Sequence, residues 1–188
     1  MTTAELSTST GFDLRWTSRA VERAASADEP AWAIEQRRAA GATAATLELP
    51  KRDDELWRRT DFRTLTEALP TLDPFAAPAP VRSEAELPAG IRIRLEADRE
   101  QEALIVQRDG AVVFERVPAA LASAGVIACS MERAVREHGE RVRAVLGLRL
   151  EAGEDWYTAI GTALRSGGVF VSVPDGSTFS CQSRLVGT

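Results

Sequence analysis

Residues 103–115, ALIVQRDGAVVFE, predict a β-hairpin near the middle of the chain. The apolar runs 103–107 and 111–115 are each long enough for a strand, and the Asp109-Gly110 pair between them favours a two-residue hairpin turn. Two strands joined in this way are antiparallel. The sequence therefore predicts a protein with at least one antiparallel sheet and excludes an all-helical fold.

Five further segments after residue 115 alternate between helix and strand signals. Each is short, and each is bounded by a capping residue, a glycine or a proline. They are a helical turn over Pro118–Ser123, a buried strand over Gly125–Cys129, a helix over Met131–His138 with Ser130 as its N-cap and Gly139 as its end, a helix over Glu154–Arg165, and a strand over Val169–Val173 that closes on the turn Pro174–Gly176. The second half of the chain is therefore expected to be a mixed α/β region.

Upstream of the hairpin, residues 91–95 show a period of two. Ile91, Ile93 and Leu95 alternate with two arginines, which is typical of a half-buried strand. Before that segment, residues 68–80 contain four of the nine prolines in the chain. Because proline removes an amide donor and biases its predecessor away from helix, residues 68–80 predict a linker or an extended strap.

The residues before the proline-rich strap are helical in character. A first helix is expected over Arg19–Ser26. Asp28 is expected to be the N-cap of a second helix, which has Pro30 in its first turn. This second helix is predicted to direct Trp32 and Ala33 inward, and Glu35, Arg37 and Arg38 outward.

A third, shorter helix is expected after Pro50, with Trp57 on its inner face as an anchor of the helical region. The acidic run Asp53–Glu55 lies at its start, where negative charge stabilises the helix dipole. A divalent-cation site or an acid–base pair is the other interpretation of this run. Consecutive side chains on a helix do not converge on one point, so the capping role is favoured.

Composition limits the function classes that the chain can serve. Its 188 residues carry 28 acidic and 23 basic side chains, a net charge of −5, which gives no electrostatic case for binding nucleic acid or a membrane surface. No window approaches the roughly 18 apolar residues of a membrane span, and no secretory signal pattern is present. Two cysteines are too few for a disulfide framework. The sequence predicts a cytoplasmic protein.

Few residues offer catalytic or metal chemistry. Cys129 and the single histidine, His138, could form a nucleophile–base pair. Cys129 ends an apolar strand, however, and His138 lies in a polar helix end, so a buried thiol and an exposed imidazole are the favoured interpretation. Neither a nucleotide-binding glycine motif nor a metal-ligand spacing is present. No catalytic, cofactor-binding or metal-binding residue is predicted, and the chain is not expected to be an enzyme.

Two series of short motifs follow one another along Glu29–Gly176. The first comprises Glu29-Pro30-Ala31-Trp32, Glu35, Arg37, Leu49-Pro50, Asp54-Glu55, Trp57-Arg58 and Thr60-Asp61-Phe62. The second comprises Val106–Gly110, Gly125-Val126-Ile127, Met131–Ala134, Val145-Leu146-Gly147, Ala163-Leu164 and Gly168–Pro174. Together they resemble the N-terminal part of the SufB/SufD family, and most closely its SufD members. Each motif is weak singly, whereas the series is fairly specific.

The resemblance implies a non-enzymatic subunit of the SUF machinery for iron–sulfur cluster assembly. It implies SufB-like and SufC-like subunits as partners, the latter an ATPase. It further implies that the cluster is handled transiently by the complex and is not bound by this chain alone. Family members continue into a long parallel β-helix with cluster-associated Cys and His positions. Neither Cys181 nor His138 falls on such a position, and Ser177–Ser183 departs from the family pattern, so the chain is expected to be truncated.

Patterns and resemblance together predict an α+β protein in four segments. Residues 1–69 are expected to form a helical N-terminal subdomain and residues 70–90 a proline-rich linker. Residues 91–168 are expected to form the mixed α/β region with its hairpin. Residues 169–188 are expected to hold the first strand or strands of an incomplete parallel β-helix. An apolar strand without its neighbours is expected to be exposed and to recruit other strands.

Two alternatives to a SufD-like scaffold subunit stay open. One is a small cytoplasmic enzyme that uses Cys129 or carboxylates. The other is a non-functional, truncated product of the SufD type, which sequence alone does not distinguish from a working subunit.

Overall fold

The structure, a computed structural model, describes residues 15–50, 54–55, 57–60, 73, 75–76, 78–96 and 102–176. Within these residues the helices are α1 (Arg15–Ser26), α2 (Ala31–Ala44), α3 (Ala89–Glu96), α4 (Ala119–Ser123), α5 (Met131–Glu137), α6 (Gly139–Arg143) and α7 (Trp156–Leu164), with a 3₁₀ turn at Glu84–Glu86. The strands are β1 (Leu104–Arg108), β2 (Ala111–Arg116), β3 (Ile127–Ser130) and β4 (Val169–Ser172). The predicted α+β class is confirmed.

Contacts divide the chain into two compact units, each built from two separate stretches. The helical unit draws on Met1–Ala76 and Arg143–Arg165 and contains α1, α2 and α7. The mixed unit draws on Ala77–Val142 and Ser166–Thr188 and contains both sheets with α3, α4 and α5. The division of the sequence into four consecutive segments stays a prediction.

Asp28 ends α1 and does not begin α2. Its φ of 55° is left-handed, its amide donates to the Ala25 carbonyl at 3.2 Å, and the Glu29 amide donates to the Ala24 carbonyl at 3.0 Å. These two bonds form a Schellman motif, which satisfies the last carbonyls of a helix. The N-cap of α2 is Pro30, so the predicted Asp28 cap is wrong.

Small side chains line the contacts between the three helices of the helical unit. A Cβ atom at Gly41 of α2 would collide with the Thr17 side chain of α1, so glycine permits the close approach of these helices. Trp156 of α7 is buried and supplies apolar bulk. The other buried residues of these helices are Ala20 and Ala24 of α1, Ala33, Arg37, Ala40 and Ala44 of α2, and Ala159 and Ala163 of α7.

The predicted hairpin is confirmed. Strands β1 and β2 pair antiparallel, and both turn residues are left-handed, with φ of 50° at Asp109 and 84° at Gly110. Positive φ at both central positions defines the type I′ turn, whose twist matches that of the strands. The register shifts between Val106 and Gln107, which leaves Val113 as an extra residue on β2.

The core of the mixed unit forms where this hairpin meets the segment before it. The Val81 amide donates to the Val113 carbonyl at 2.8 Å, and Arg116 forms an ion pair with Glu84 at 2.5 Å. The buried centre consists of Leu87, Val106 and Val113, against which Val81, Ile91, Leu104 and Phe114 pack. Residues 81–87, assigned to a linker from the sequence, therefore contribute to this core.

The strand predicted at residues 91–95 is wrong, because these residues lie in α3. The amides of Ile91 and Arg92 both donate to the Pro88 carbonyl, at 2.9 and 3.1 Å, and thereby begin the helix. Proline is favoured at a helix start because its missing amide hydrogen has no helical partner there. Five alternating residues are too few to fix the period, so the start signal prevails.

The second sheet consists of β3 and β4, which pair antiparallel. The two strands confirm the predictions made for residues 125–129 and 169–173, with boundaries shifted by one or two residues. The structure shows no parallel β-helix in the ranges that it describes. β4 pairs there with β3 in the opposite sense to the parallel rung that the resemblance implied.

Two glycines guide the chain into β4. Gly168 has a φ of 125°, which side chains rarely tolerate. A Cβ atom at Gly167 would overlap the carbonyl of Gly110 in the hairpin turn. The Gly-Gly pair was predicted only to stop the preceding helix, whereas it also lets β4 approach the first sheet.

The boundaries of α5 are partly as predicted. Ser130 is the N-cap, because its Oγ accepts the Arg133 amide at 3.3 Å. His138, however, ends α5, and Gly139 begins α6. The helix therefore ends one residue before Gly139, the predicted end.

Residues 68–72, 74 and 77 of the proline-rich segment, and residues 51–53 and 56 of the third predicted helix, lie outside the described residues. The described residues 54–55 and 57–60 form turns, in which the Trp57 amide donates to the Asp54 carbonyl at 2.9 Å. Phe75 is described and buried, with the guanidinium carbons of Arg19 and Arg23 at 5.1 and 5.9 Å from the centre of its ring. Trp57 is half-buried, and its ring centre lies 5.2 Å from that of Tyr157. In its described part, residues 73, 75–76 and 78–80, the proline-rich segment shows no continuous strap.

Candidate interaction surfaces

A buried ion pair between Glu29 and Arg37 joins two ends of the helical unit. Both side chains are only 5% exposed. Arg37 Nε and Nη2 donate to the two carboxylate oxygens at 3.1 and 2.7 Å, the bidentate geometry of a strong charged hydrogen bond. Arg37 Nη1 donates to the carbonyls of Ala163 and Arg165 at 3.2 and 2.7 Å. The Arg37 side chain therefore ties α2 to the end of α7.

This arrangement corrects the prediction that Arg37 points outward. Charged side chains are rarely buried unless they are paired, and the pairing here depends on residues far away in sequence. The negative end of the α7 dipole and the Glu29 carboxylate offset the cost of removing the guanidinium from water. Glu29 and Arg37, both members of the first motif series, serve packing.

Arg165 extends the same cluster. Its Nη2 lies 3.6 Å from Glu29 Oε2, and its Nη1 donates to Gln36 Oε1 at 3.2 Å. The cluster has hydrogen-bond partners from within the helical unit, so its chemistry is that of a structural clamp.

The structure does not bring Cys129 and His138 into one cavity. Cys129 is buried at 2% exposure, whereas His138 is half-buried and lines an open groove of about 460 Å³ with Ile127 and Arg141. Burial raises the pKa of the Cys129 thiol, and Glu115 adds to the effect. A catalytic thiol needs a lowered pKa, so the site favours the packing role expected for Cys129.

Glu115 connects the first sheet to the helix beyond the second. Its Oε2 accepts the Ser130 amide at 2.8 Å, and its Oε1 accepts Arg133 Nη1 at 2.8 Å. The hydrogen bonds that Arg133 makes to Glu115 and Glu137 raise the pKa of its guanidinium, and the same Arg133 lowers the pKa of the Glu137 carboxyl. The three charged side chains that act on Cys129, which are Glu115, Arg133 and Glu137, are therefore paired with one another.

The acidic run at Asp53–Glu55 is described only at its last two residues. Both are exposed, and Glu55 forms an ion pair with Arg58 at 3.4 Å. Among the described residues, no group of three or more His, Cys, Asp or Glu side chains is placed to hold a metal ion.

An exposed apolar segment precedes α7 in the helical unit. Val145, Leu148 and Leu150 are 56%, 69% and 63% exposed. All three lie within a stretch of six residues. Isolated apolar residues at a surface need no explanation, but a group of this kind is typical of an interaction site. We call residues 145–150 the apolar loop.

The mixed unit has an exposed apolar feature of its own. Val169 and Val171 of β4 are 40% and 44% exposed, whereas Phe170 between them is buried. Alternate residues of a strand lie on opposite faces. One face of β4 therefore packs inside the unit, and the other presents two valines to water.

Comparison with known proteins gives these features a context. Residues 19–183 match the family model described as the SufBD protein N-terminal region. The match covers most of the chain. The chain belongs to the SufBD family.

Several curated SufBD family proteins are similar to this chain. The Arabidopsis thaliana iron–sulfur cluster assembly SufBD family protein ABCI9 is 26% identical over 161 residues, which cover 78% of this chain and 33% of that protein. The chloroplastic ABCI8 protein of the same plant is 26% identical over 152 residues, covering 78% and 27%. The Mycobacterium bovis SufBD family protein Mb1496 is 33% identical over 70 residues, covering 37% and 8%. The chain therefore spans about a third or less of the length of these relatives.

No solved structure matches the chain. None of the helices in the described ranges has the length and apolar character needed to cross a bilayer.

Sequence reasoning missed the apolar loop. Its residues had been noted only as a family motif at Val145-Leu146-Gly147. The signal was present as Val145, Leu148 and Leu150 without a helical or alternating period, a pattern that no single buried face explains. The exposed face of β4, in contrast, was predicted from its apolar character.

Proposed function

We propose that this chain acts in iron–sulfur cluster assembly as a SufD-like subunit, and that it acts through protein contacts. The observation that carries the proposal is the match of residues 19–183 to the SufBD N-terminal region. The relatives with 78% coverage of this chain are both described as iron–sulfur cluster assembly proteins. The SufD-like assignment rests on the motif series alone, and the setting we propose is the cytoplasm.

Several features of the described residues support contacts as the mode of action. Arg37, the charged side chain buried with Glu29, has its hydrogen-bond partners inside the helical unit. Cys129 is buried, with a raised thiol pKa that disfavours metal binding as well as nucleophilic attack. The apolar loop and the outer face of β4, in contrast, expose large apolar side chains to water. Exposed apolar groups are what a partner subunit would cover.

The partners that we propose are SufB-like and SufC-like subunits, the latter an ATPase. The cluster is then the cargo of the complex and is passed through it. The Glu29–Arg37 clamp would keep the helical unit rigid while the exposed apolar groups engage a partner.

Co-purification tests this proposal. The full chain is co-expressed with SufB-like and SufC-like subunits from the same source, the SufC-like subunit carries an affinity tag, and the eluate is analysed by native mass spectrometry. We expect a complex that contains all three chains. A SufB–SufC complex that forms without this chain, although the chain is folded and abundant, would overturn the SufD-like assignment.

A pair of variants then tests the contact surface. Replacing the exposed Leu148 with serine removes apolar surface from the apolar loop, and Arg149→Ser changes its exposed neighbour without doing so. We expect Leu148→Ser to lower the co-purified fraction and Arg149→Ser to leave it near the wild-type level. Equal recovery of both variants would exclude the apolar loop as the contact.

A further inference from the structure

A short segment packs on α1 where the first stretch of the helical unit ends, at Ala76. The Phe75 ring is 8% exposed, and the guanidinium carbons of Arg19 and Arg23 lie 5.1 and 5.9 Å from its centre. Arg19 and Arg23 are four residues apart in α1, so their side chains share one face of that helix. The ring therefore packs against a pair of arginines.

Polar contacts hold the same segment on α1. Arg23 Nη1 donates to the Phe75 carbonyl at 2.8 Å, and Arg19 Nη2 lies 3.5 Å from Asp73 Oδ1. That carboxylate oxygen also accepts the Phe75 amide at 3.1 Å, and the Asp73 carbonyl accepts the Ala76 amide at 3.1 Å. Asp73 thus both shapes the turn and pairs with α1. We call Asp73, Phe75 and Ala76 the latch.

The side chains that attach the latch lie at the protein surface. Those of Arg19 and Asp73 are 54% and 53% exposed, and Arg23 is exposed as well. Among the described residues, no backbone–backbone hydrogen bond joins the latch to another element. Exposed ion pairs contribute little to stability. Segments with few internal hydrogen bonds to the rest of a fold open before its core does.

We propose that the latch opens and closes on α1 while the helical unit stays folded. Closing buries the Phe75 ring against the arginine pair, and opening frees the ring and both guanidinium groups. Phenylalanine and arginine are enriched at protein interfaces, so the closed latch withholds a surface that is suited to contact another protein. This device does not rest on the function proposed above.

Cleavage of the full chain by chymotrypsin after Phe75 tests the proposal. The protease cuts an open segment, so the rate follows the population of the open state when opening and closing are fast. Local opening exposes little surface, and we expect the initial rate at the Phe75–Ala76 bond to change less than about twofold between zero and about 1 M urea. Mass spectrometry identifies the cut, and an unstructured peptide with the same bond corrects for the activity of the protease. A rate that rises with urea as steeply as the tryptophan-monitored unfolding of the helical unit would overturn the proposal.

A pair of arginine variants tests the contacts that close the latch. Arg23→Gln removes the donor to the Phe75 carbonyl and one of the two cations beside the ring. It should speed cleavage after Phe75 by about tenfold, because a charged hydrogen bond and a cation–π contact are lost together. Arg38→Gln is the matched control, since this exposed arginine pairs with Glu35, and it should change the rate less than about twofold. An unchanged rate in Arg23→Gln, or equal acceleration in both variants, would contradict the proposal.

Hydrogen exchange adds a measurement that needs no variant. The amides of Phe75 and Ala76 should exchange with little dependence on urea, whereas the amide of the buried Ala40 in α2 should show the steep dependence of global unfolding. Equal urea dependence at the three amides would show that the latch opens only with the whole unit.

Discussion

Replacing Arg37 with alanine should destabilise the helical unit more than any change at its surface. The substitution removes two hydrogen bonds to Glu29 and two to the carbonyls of Ala163 and Arg165. It also leaves the Glu29 carboxylate, 5% exposed, without its bidentate partner. An uncompensated charge in such a position is the main source of the expected cost.

The expected loss of unfolding free energy is about 3 kcal/mol. Removing one partner of a buried ion pair typically costs about 3 to 5 kcal/mol. The lower end applies here because Arg165 Nη2, 3.6 Å from Glu29 Oε2, retains part of the charge compensation. Replacing both partners, as Glu29→Gln with Arg37→Met, should cost less than Arg37→Ala, because the buried Glu29 carboxylate is then not left without its bidentate partner.

Tryptophan fluorescence during urea denaturation measures this loss in the helical unit alone, because Trp16, Trp32, Trp57 and Trp156 all belong to it. Arg38→Ala is the matched control, since its pair with Glu35 is solvent-exposed, and such changes cost at most about 0.5 kcal/mol. If Arg37→Ala costs no more than this control, the buried pair does not stabilise the unit and the reasoning is wrong.

Four other changes test separate parts of the structure. Gly167→Ala should destabilise the mixed unit by about 3 kcal/mol, because its Cβ would overlap the Gly110 carbonyl, whereas Gly153→Ala, in open space, should be nearly neutral; circular dichroism melts compare the two, and equal melting would contradict the close approach. Asp155→Ala removes the capping box of α7 and should cost about 1 to 2 kcal/mol in the tryptophan-monitored assay; a neutral result would mean that the cap contributes nothing. Burial raises the pKa of the Cys129 thiol, so the contribution of this thiol to stability is complete below the pKa of the unfolded thiol and is lost as the pH rises through the folded-state pKa. Cys129→Ala should therefore reduce the loss of stability at alkaline pH. An unchanged profile of stability against pH would refute the assignment of Cys129 as a buried, neutral thiol. Anaerobic reconstitution with iron and sulfide should leave no cluster on the isolated chain after desalting; a stoichiometric cluster that is lost in Cys129→Ser would show that this thiol is a ligand.

Local signals in the sequence were sufficient where neighbouring residues determine the geometry. The Asp109-Gly110 pair predicted the hairpin because a type I′ turn requires left-handed backbone at two successive residues. Ser130 predicted the start of α5 in the same way, since its side chain caps an amide three residues away. Such features depend on a few adjacent residues and need no knowledge of the fold.

Features that depend on distant residues were not predictable. Arg37 was placed outside because nothing near it in the sequence indicates burial, and two of its partners are the carbonyls of residues 163 and 165. Gly167 likewise meets Gly110, a residue of the other sheet. The strand predicted at residues 91–95 was wrong for another reason. The short alternation of apolar and charged residues competed with the signal for a helix start at Pro88, and the helix forms. Of the two candidate surfaces, only β4 was predicted, because its residues form a short apolar run bounded by glycines and a proline.

A role in iron–sulfur cluster assembly is tested most directly by deleting this chain from the organism that encodes it. The activity of a resident iron–sulfur enzyme is measured under iron limitation, together with the amount of its polypeptide. We expect the activity to fall while the amount of polypeptide stays constant, and the full chain supplied in trans to restore the activity. Unchanged activity in the deletion strain would contradict a role in iron–sulfur cluster assembly.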